Sequence, residues 1–362
     1  MSVKRLFLWL MGGFLGIVGL LFLVLFVVWI QAKPVYKVPA TAAVNKALPS
    51  VKLGGVHFHV RTFGRKEAPV IVVIHGGPGG DFRSLLSLKS LAKDGYRVVF
   101  YDQRGTGLSA RVPASQLTLQ SSVEDLHRIV KWAGKGKPVA LLGHSWGGIM
   151  TAYYLAKYPK WAKAAVMIEP GVLTSAELTA FVGKMQPKPS WASLKHITAS
   201  LLASFKVKGP DKQAGSDYFL SRMMFSPVEN PLSAYYCKRK PPKGATSFWR
   251  VGSLSSQAII AASRAKNGSL VMPSLSGLKA YKDEVLLLAG ACNTWIGPKR
   301  QREHKRLFVK ATLQVIPKAG HMMHLSQPVL TRKAILAYYH RRGWKPNPPT
   351  NPTPTKKSVK TP

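Results

Sequence analysis

The stretch from Pro138 to Gly148 constrains this chain more than any other. An apolar segment of strand character, residues 139–142, runs into Gly143-His144-Ser145-Trp146-Gly147 and then into residues 149–156, which have the make-up of a helix. A serine at such a strand-to-helix corner sits in a tight, strained turn that lifts its hydroxyl above the sheet edge. Side chains at Gly143 or Gly147 would clash inside that turn. The pattern marks Ser145 as a nucleophile.

Two other segments supply what a serine nucleophile needs. Residues 70–74 (Val-Ile-Val-Val-Ile) form a continuous β-branched run, typical of a strand buried on both faces. They lead into His75-Gly76-Gly77-Pro78-Gly79-Gly80, whose backbone N–H groups are left uncovered and suit an oxyanion hole. A phosphate cradle is the competing interpretation, but no Lys-Ser/Thr follows the glycines. Near the other end, residues 312–316 form an apolar strand followed by Ala319-Gly320-His321. His321 is the candidate base, because a serine hydroxyl needs one to become a useful nucleophile. His324, one helical turn on, is a supporting candidate. His75 and His144 lie inside motif turns and are assigned structural hydrogen bonds.

Taken together, His75–Gly80, Asp102-Gln103-Arg104-Gly105-Thr106-Gly107-Leu108-Ser109 and Gly143–Gly148 match HGGPGG, DQRGxGxS and GxSWGG. In these motifs the chain resembles the proline-iminopeptidase-like branch of the α/β-hydrolase superfamily. The resemblance spans roughly residues 55–340 and is weak between about 172 and 280. It implies an α/β fold: a mostly parallel central sheet covered by helices, with a helical lid inserted after the sixth core strand. It also implies oxyanion donors at the N–H of Trp146 and in the Gly76–Gly77 loop, with Gly77 preferred.

One position departs from the family. The pattern places an aspartate after the strand at 285–289, in a Gly-x-x-Asp context, whereas this chain reads Gly290-Ala291-Cys292-Asn293. Asparagine can orient an imidazole but cannot stabilise the imidazolium, and in a serine protease the corresponding change costs about 10⁴-fold in rate. A carboxylate is therefore sought elsewhere, among only 14 acidic residues. Asp283 and Glu284 lie at the wrong end of their strand. Asp102 belongs to the DQRG turn, where its arginine neighbour offers a partner. Glu169 ends the 164–168 strand, next to the nucleophile strand in the fold resembled, and some lipases of this fold carry their acid there. The expected relay is Ser145–His321–Glu169, with Asn293 as a second orienter or a vestige.

Strand candidates at 56–63, 70–74, 97–101, 139–142, 164–168, 285–289 and 312–316 alternate with amphipathic helices, notably around 122–132 and 146–158. That alternation predicts the parallel, doubly covered sheet independently of the resemblance. The domain division follows: an anchor over 1–30, a spacer over 31–50, hydrolase core over 51–171 and 281–343, a helical lid over 172–280 and a disordered basic tail over 344–362.

The run from Leu6 to Ile30 is apolar and uncharged. At about 1.5 Å per residue it can cross a ~30 Å hydrocarbon core, and it is too long for the apolar region of a cleaved signal. Lys4 and Arg5 before it predict a cytoplasmic N-terminus, and so a single-pass membrane protein with its catalytic domain on the extracytoplasmic side. The net charge is +39, from 53 Lys and Arg against 14 Asp and Glu. No nucleic-acid module accompanies it, so no nucleic-acid partner is expected. An anionic membrane or envelope surface is the partner the charge suits. Cys237 and Cys292 could pair in an oxidising compartment. No metal and no cofactor are expected.

A serine, a base and an oxyanion hole specify acyl transfer to water from a small-molecule or peptide substrate. The branch resembled removes N-terminal proline, using acidic lid residues to hold an ammonium group. Here residues 172–280 hold four acidic residues against 15 basic ones. Such a lid favours an anionic or apolar acyl substrate over a cationic peptide terminus. The expected activity is ester or amide hydrolysis, with aminopeptidase activity the alternative. A catalytically weak, envelope-binding scaffold is the reading from another class.

Overall fold

The computed structural model describes residues 2–185, 190–226 and 231–346. Eight strands form one sheet: β1 (Ser50–Leu53), β2 (Val56–Phe63), β3 (Val70–Ile74), β4 (Arg97–Tyr101), β5 (Val139–His144), β6 (Ala162–Ile168), β7 (Glu284–Gly290) and β8 (Lys310–Ile316). Their order is β1-β2-β4-β3-β5-β6-β7-β8, with the β1–β2 and β2–β4 pairs antiparallel and every later pair parallel. The helices are α1 (Val3–Gln31), α2 (Leu119–Ala133), α3 (Trp146–Lys157), α4 (Ser175–Lys184), α5 (Trp191–Phe205), α6 (Ala214–Met224), α7 (Ser253–Ala262), α8 (Pro298–Lys305), α9 (Met323–Ser326) and α10 (Pro328–Arg341).

The continuous apolar runs read from the sequence are central strands buried on both faces. Alternate residues of one strand serve two cores. Val70, Val72 and Ile74 join α2 and α3 on one face, while Ile71 and Val73 join Phe82–Leu91 and α10 on the other. Period-two side-chain alternation makes this division unavoidable once both faces are covered.

Between β6 and β7 the chain leaves the sheet for an insert that carries α4 to α7. A disulfide between Cys237 and Cys292 ties this insert to the loop after β7. Residues 32–49, read as a spacer, lie against the body: Val38 and Ala42 are buried, and Ala42 N–H donates to the Leu108 carbonyl at 2.7 Å. Their prolines suggested a free linker, but the apolar residues between them find a surface to cover. The short edge strand β1 also escaped the sequence reading, because four residues give too little pattern. Of the tail, Trp344–Pro346 reach back to the body, where the Trp344 carbonyl accepts from Tyr96 OH at 2.7 Å; residues 347–362 lie outside the described residues.

A buried ionic cluster fastens these parts together. Arg250, in the insert, has a side chain only 1% exposed. It donates to Asp211 at 2.7 and 2.8 Å, to Asp217 at 2.6 Å and to the Pro39 carbonyl at 3.2 Å. Arg111 from the core meets the same Asp217 at 3.0 Å. Removing one partner of such a cluster strands a buried charge, which costs about 3–5 kcal/mol. Arg250→Met is expected to lose that much stability in denaturant titrations of the purified protein. An unchanged unfolding midpoint would show that the cluster holds nothing.

Candidate active site

Ser145 stands where β5 ends and α3 begins, at φ 55° and ψ −118°. The turn is imposed by close packing. A Cβ at Gly147 would lie 2.1 Å from the Ile74 carbonyl oxygen, and one at Gly143 would lie 2.3 Å from that of Gly147. Ser145 N–H donates to the Ile168 carbonyl at 2.9 Å, so the elbow is pinned to the end of β6 as well. Ser145 is half-buried among fully buried neighbours.

The glycine-rich loop passes directly beside it. A Cβ at Gly76 would be 3.0 Å from Ser145 Cβ. Gly77, at φ 137°, holds the turn that follows. The N–H of Trp146 belongs to the first turn of α3, where donors have no partner within the helix and the helix dipole is positive. The glycine-rich loop and Trp146 thus flank the serine from two sides. The DQRG turn braces both. Trp146 Nε1 donates to Gln103 Oε1 at 2.9 Å, and Gln103 Nε2 donates to the His75 carbonyl at 2.9 Å.

His75 uses both ring nitrogens structurally. Its Nε2 accepts from Gln103 N–H at 3.0 Å, which leaves Nδ1 to donate to the Gly76 carbonyl at 2.8 Å. His144 Nε2 donates to the His321 carbonyl at 3.0 Å. Asp102 braces loops, though not through its arginine neighbour. It meets His59 Nδ1 at 2.7 Å and accepts from the N–H groups of Phe82 and Leu108, while Arg104 is taken by Asp125.

Glu169 follows β6 and is fully buried. Its φ of 43° lies in the left-handed region, which non-glycine residues enter at a cost of about 1–2 kcal/mol. The strain turns the carboxylate across the ends of β6 and β7. Oε1 accepts from Gly290 N–H at 2.7 Å. Oε2 accepts from Asn293 Nδ2 at 2.7 Å and meets His321 Nδ1 at 2.7 Å. Asn293 is itself fixed, because its Oδ1 accepts from the N–H groups of Trp295 and Ile296 at 3.0 and 3.1 Å. This explains an amide where the family pattern has an acid: a second carboxylate here would face Glu169 at hydrogen-bond distance.

His321 is buried and held from behind. Its N–H donates to the Tyr235 carbonyl at 2.8 Å, and the Tyr235 ring lies 4.5 Å from the imidazole, centroid to centroid. Tyr235 comes from the insert and was not visible in the sequence. Gly320 is the one nearby signal, since a Cβ there would stand 2.3 Å from the Tyr235 oxygen. His324 donates from Nε2 to the Ser84 carbonyl at 3.1 Å and packs edge-on against the His144 ring at 5.4 Å, which in turn lies 4.4 Å from the His321 ring, centroid to centroid.

Burial pushes the Glu169 carboxyl up to about 8, opposed by the donors Gly290 N–H and Asn293 Nδ2. Burial likewise pushes the His321 imidazole down to about 3. With Nδ1–H donated to Glu169, His321 Nε2 is the basic nitrogen of the ring.

A model of the alpha/beta hydrolase fold family matches residues 69–328. The mouse sn-1-specific diacylglycerol lipase ABHD11 is 25% identical over 76% of this chain and 82% of its own length. A proline iminopeptidase of Thermoplasma volcanium is 33% identical over 36% of this chain, a match spanning 43% of that enzyme. An esterase from Exiguobacterium antarcticum shares the fold with a TM-score of 0.56 at 17% identity, over 80% of this chain and 98% of that one.

Turnover that uses His321 as base needs Glu169 ionised and the imidazole neutral. With burial holding the Glu169 carboxyl up at about 8, turnover is expected to climb to a plateau above about 8 rather than above the ordinary histidine value of 6.5. Asn293→Ala removes a donor that lowers the carboxyl pKa and should move this limb further up. A plateau already reached by pH 6.5 in both proteins would contradict the assignment.

Proposed function

The chain belongs to the α/β-hydrolase family, and we propose that it is a membrane-anchored serine hydrolase acting on an acyl ester, with Ser145 as nucleophile, His321 as base and Glu169 as acid. The observation that carries this is the 2.7 Å contact between Glu169 Oε2 and His321 Nδ1, together with a serine held at the nucleophile elbow. In the first step His321 Nε2 takes the Ser145 Oγ proton as Oγ attacks the acyl carbonyl. The oxyanion forms against the N–H groups of Gly77 and Trp146, each donor worth about 10²–10³ in rate. Nε2 then gives the proton to the leaving alcohol. A water repeats the cycle on the acyl-enzyme and restores Ser145. Glu169 holds the Nδ1–H tautomer throughout and offsets the imidazolium charge.

The insert supports an ester over a peptide with a free amino terminus. Glu177 is taken by His304 and Arg300 at 2.9 Å each. Asp211 and Asp217 are taken by Arg250 and Arg111. Among the described residues, the insert therefore has no uncommitted carboxylate to receive a substrate ammonium. Glu177 is also held well below the usual carboxylate range, to about 2: the His304 and Arg300 contacts outweigh the cost of its burial. In this scheme residues 172–280 act as a lid over the serine.

Helix α1 is 29 residues long and holds an 18-residue window with a mean hydropathy of 2.8, long and apolar enough to cross a membrane. Lys4 and Arg5 in its first turn, ahead of the uncharged run, favour an outward-facing domain. The Cys237–Cys292 disulfide, of a kind that persists in oxidising compartments, supports the same orientation.

A fluorophosphonate probe is expected to label the protein, and Ser145→Ala to abolish labelling. Glu169→Gln should lower ester turnover by about 10³–10⁴ with the fold intact, read by circular dichroism. Short acyl esters should be preferred over prolyl amides. Full activity in Glu169→Gln alongside an inactive Asn293→Ala would overturn the assignment of Glu169 as the acid. Faster cleavage of prolyl amides would make the chain an aminopeptidase.

A further inference from the structure

Helix α5 is built inside out. At about 100° per residue, Trp191, Leu194, Ile197, Leu201 and Phe205 fall within an arc of about 120°. All five are exposed, Trp191 at 85% and Phe205 at 74%. The opposite side packs inward with Ser200 and Ala203 buried and with His196 Nε2 donating to the Arg222 carbonyl at 2.9 Å. A helix that turns serine and alanine to the protein and tryptophan, leucine and phenylalanine outward has the polarity of an element facing lipid.

The membrane end of α1 leads to the same place. Ala32, directly after α1, is buried with Ala203 of α5 and with Ala214 and Tyr218 of α6. Lys206, at the end of α5, donates to the Trp29 carbonyl, and its Nζ lies 4.3 Å from the Trp29 ring centroid. Val35 N–H donates to Tyr218 OH at 3.3 Å. The chain therefore leaves α1 already fastened to α5 and α6. Lys195, Lys208 and Lys212 stand exposed around α5, placed for anionic headgroups.

We propose that α5 lies along the phospholipid bilayer that α1 crosses, and that the insert admits its acyl ester from that surface. The second half rests on the serine-hydrolase assignment above. The route inward is continuous: α5 packs on α6 and α6 on α7, and Gly252 N–H, just before α7, donates to the Gly79 carbonyl at 2.7 Å. The lipid-facing helix is thereby linked to the glycine-rich loop beside Ser145.

The test uses the full-length protein in phosphatidylcholine–phosphatidylglycerol vesicles whose acyl chains carry bromine, a contact quencher of tryptophan fluorescence. Trp191→Phe is expected to remove a quenched component that the wild type shows; an identical quenched fraction in both proteins would overturn the docking. In the same vesicles, the triple variant Leu194→Ser, Leu201→Ser, Phe205→Ser should lose about tenfold or more on a fluorogenic long-chain ester dissolved in the bilayer. It should stay within about twofold on a water-soluble short-chain ester. Equal losses on both substrates, or no loss on either, would overturn delivery from the surface. If the wild type cleaves neither ester, the serine-hydrolase assignment fails, while the quenching still decides where α5 sits.

Discussion

A carboxylate with no solvent contact is costly unless donors replace the water it has lost. At Glu169 three donors offset part of that cost: the N–H of Gly290, the amide of Asn293 and Nδ1 of His321. Two come from the end of β7 and the loop that follows it, the third from the loop after β8, and each is in turn held by the fold. Gly290 closes β7. Asn293 is locked by the turn at Trp295 and Ile296. His321 is held by the insert through Tyr235. The elbow serine leans on the same strand end, since its N–H is bonded to Ile168, the residue before Glu169. The backbone strain at Glu169 is the cost of bringing these groups to one point.

The insert is correspondingly more than a cover. It supplies the Tyr235 carbonyl that positions the histidine, the cysteine that pairs with Cys292 beside Asn293, and Arg250, which gathers Asp211 and Asp217. These acidic groups neutralise buried arginines and leave a strongly basic remainder. A basic, apolar-faced insert fastened to the exit of α1 is suited to an acyl substrate at a membrane and poorly suited to a cationic peptide end.

Much of the fold was legible because it rests on local signals. Buried parallel strands must be continuously apolar, and the elbow must carry glycine where Gly147 meets β3. Glu169 was reachable by a different route: the chain has few carboxylates and asparagine at 293, and the fold resembled implies that this strand end lies beside the nucleophile strand. What the sequence hid depends on tertiary context. Tyr235 acts through its backbone carbonyl, which no side-chain pattern announces. Arg104 sits two residues from Asp102 yet bonds to Asp125, because the turn points the two side chains apart. The outward apolar stripe of α5 has ordinary helical spacing, and only burial shows that it faces away from the core.

The pairing of Glu169 with His321 can be observed without turnover. In protein labelled with ¹⁵N-histidine, proton NMR should show a strongly downfield, nitrogen-coupled resonance from His321 Nδ1–H, the mark of a short bond to a buried carboxylate. It should persist in Ser145→Ala, which leaves the pair untouched, and vanish in Glu169→Ala. A downfield resonance that survives unchanged in Glu169→Ala would contradict the account at its centre.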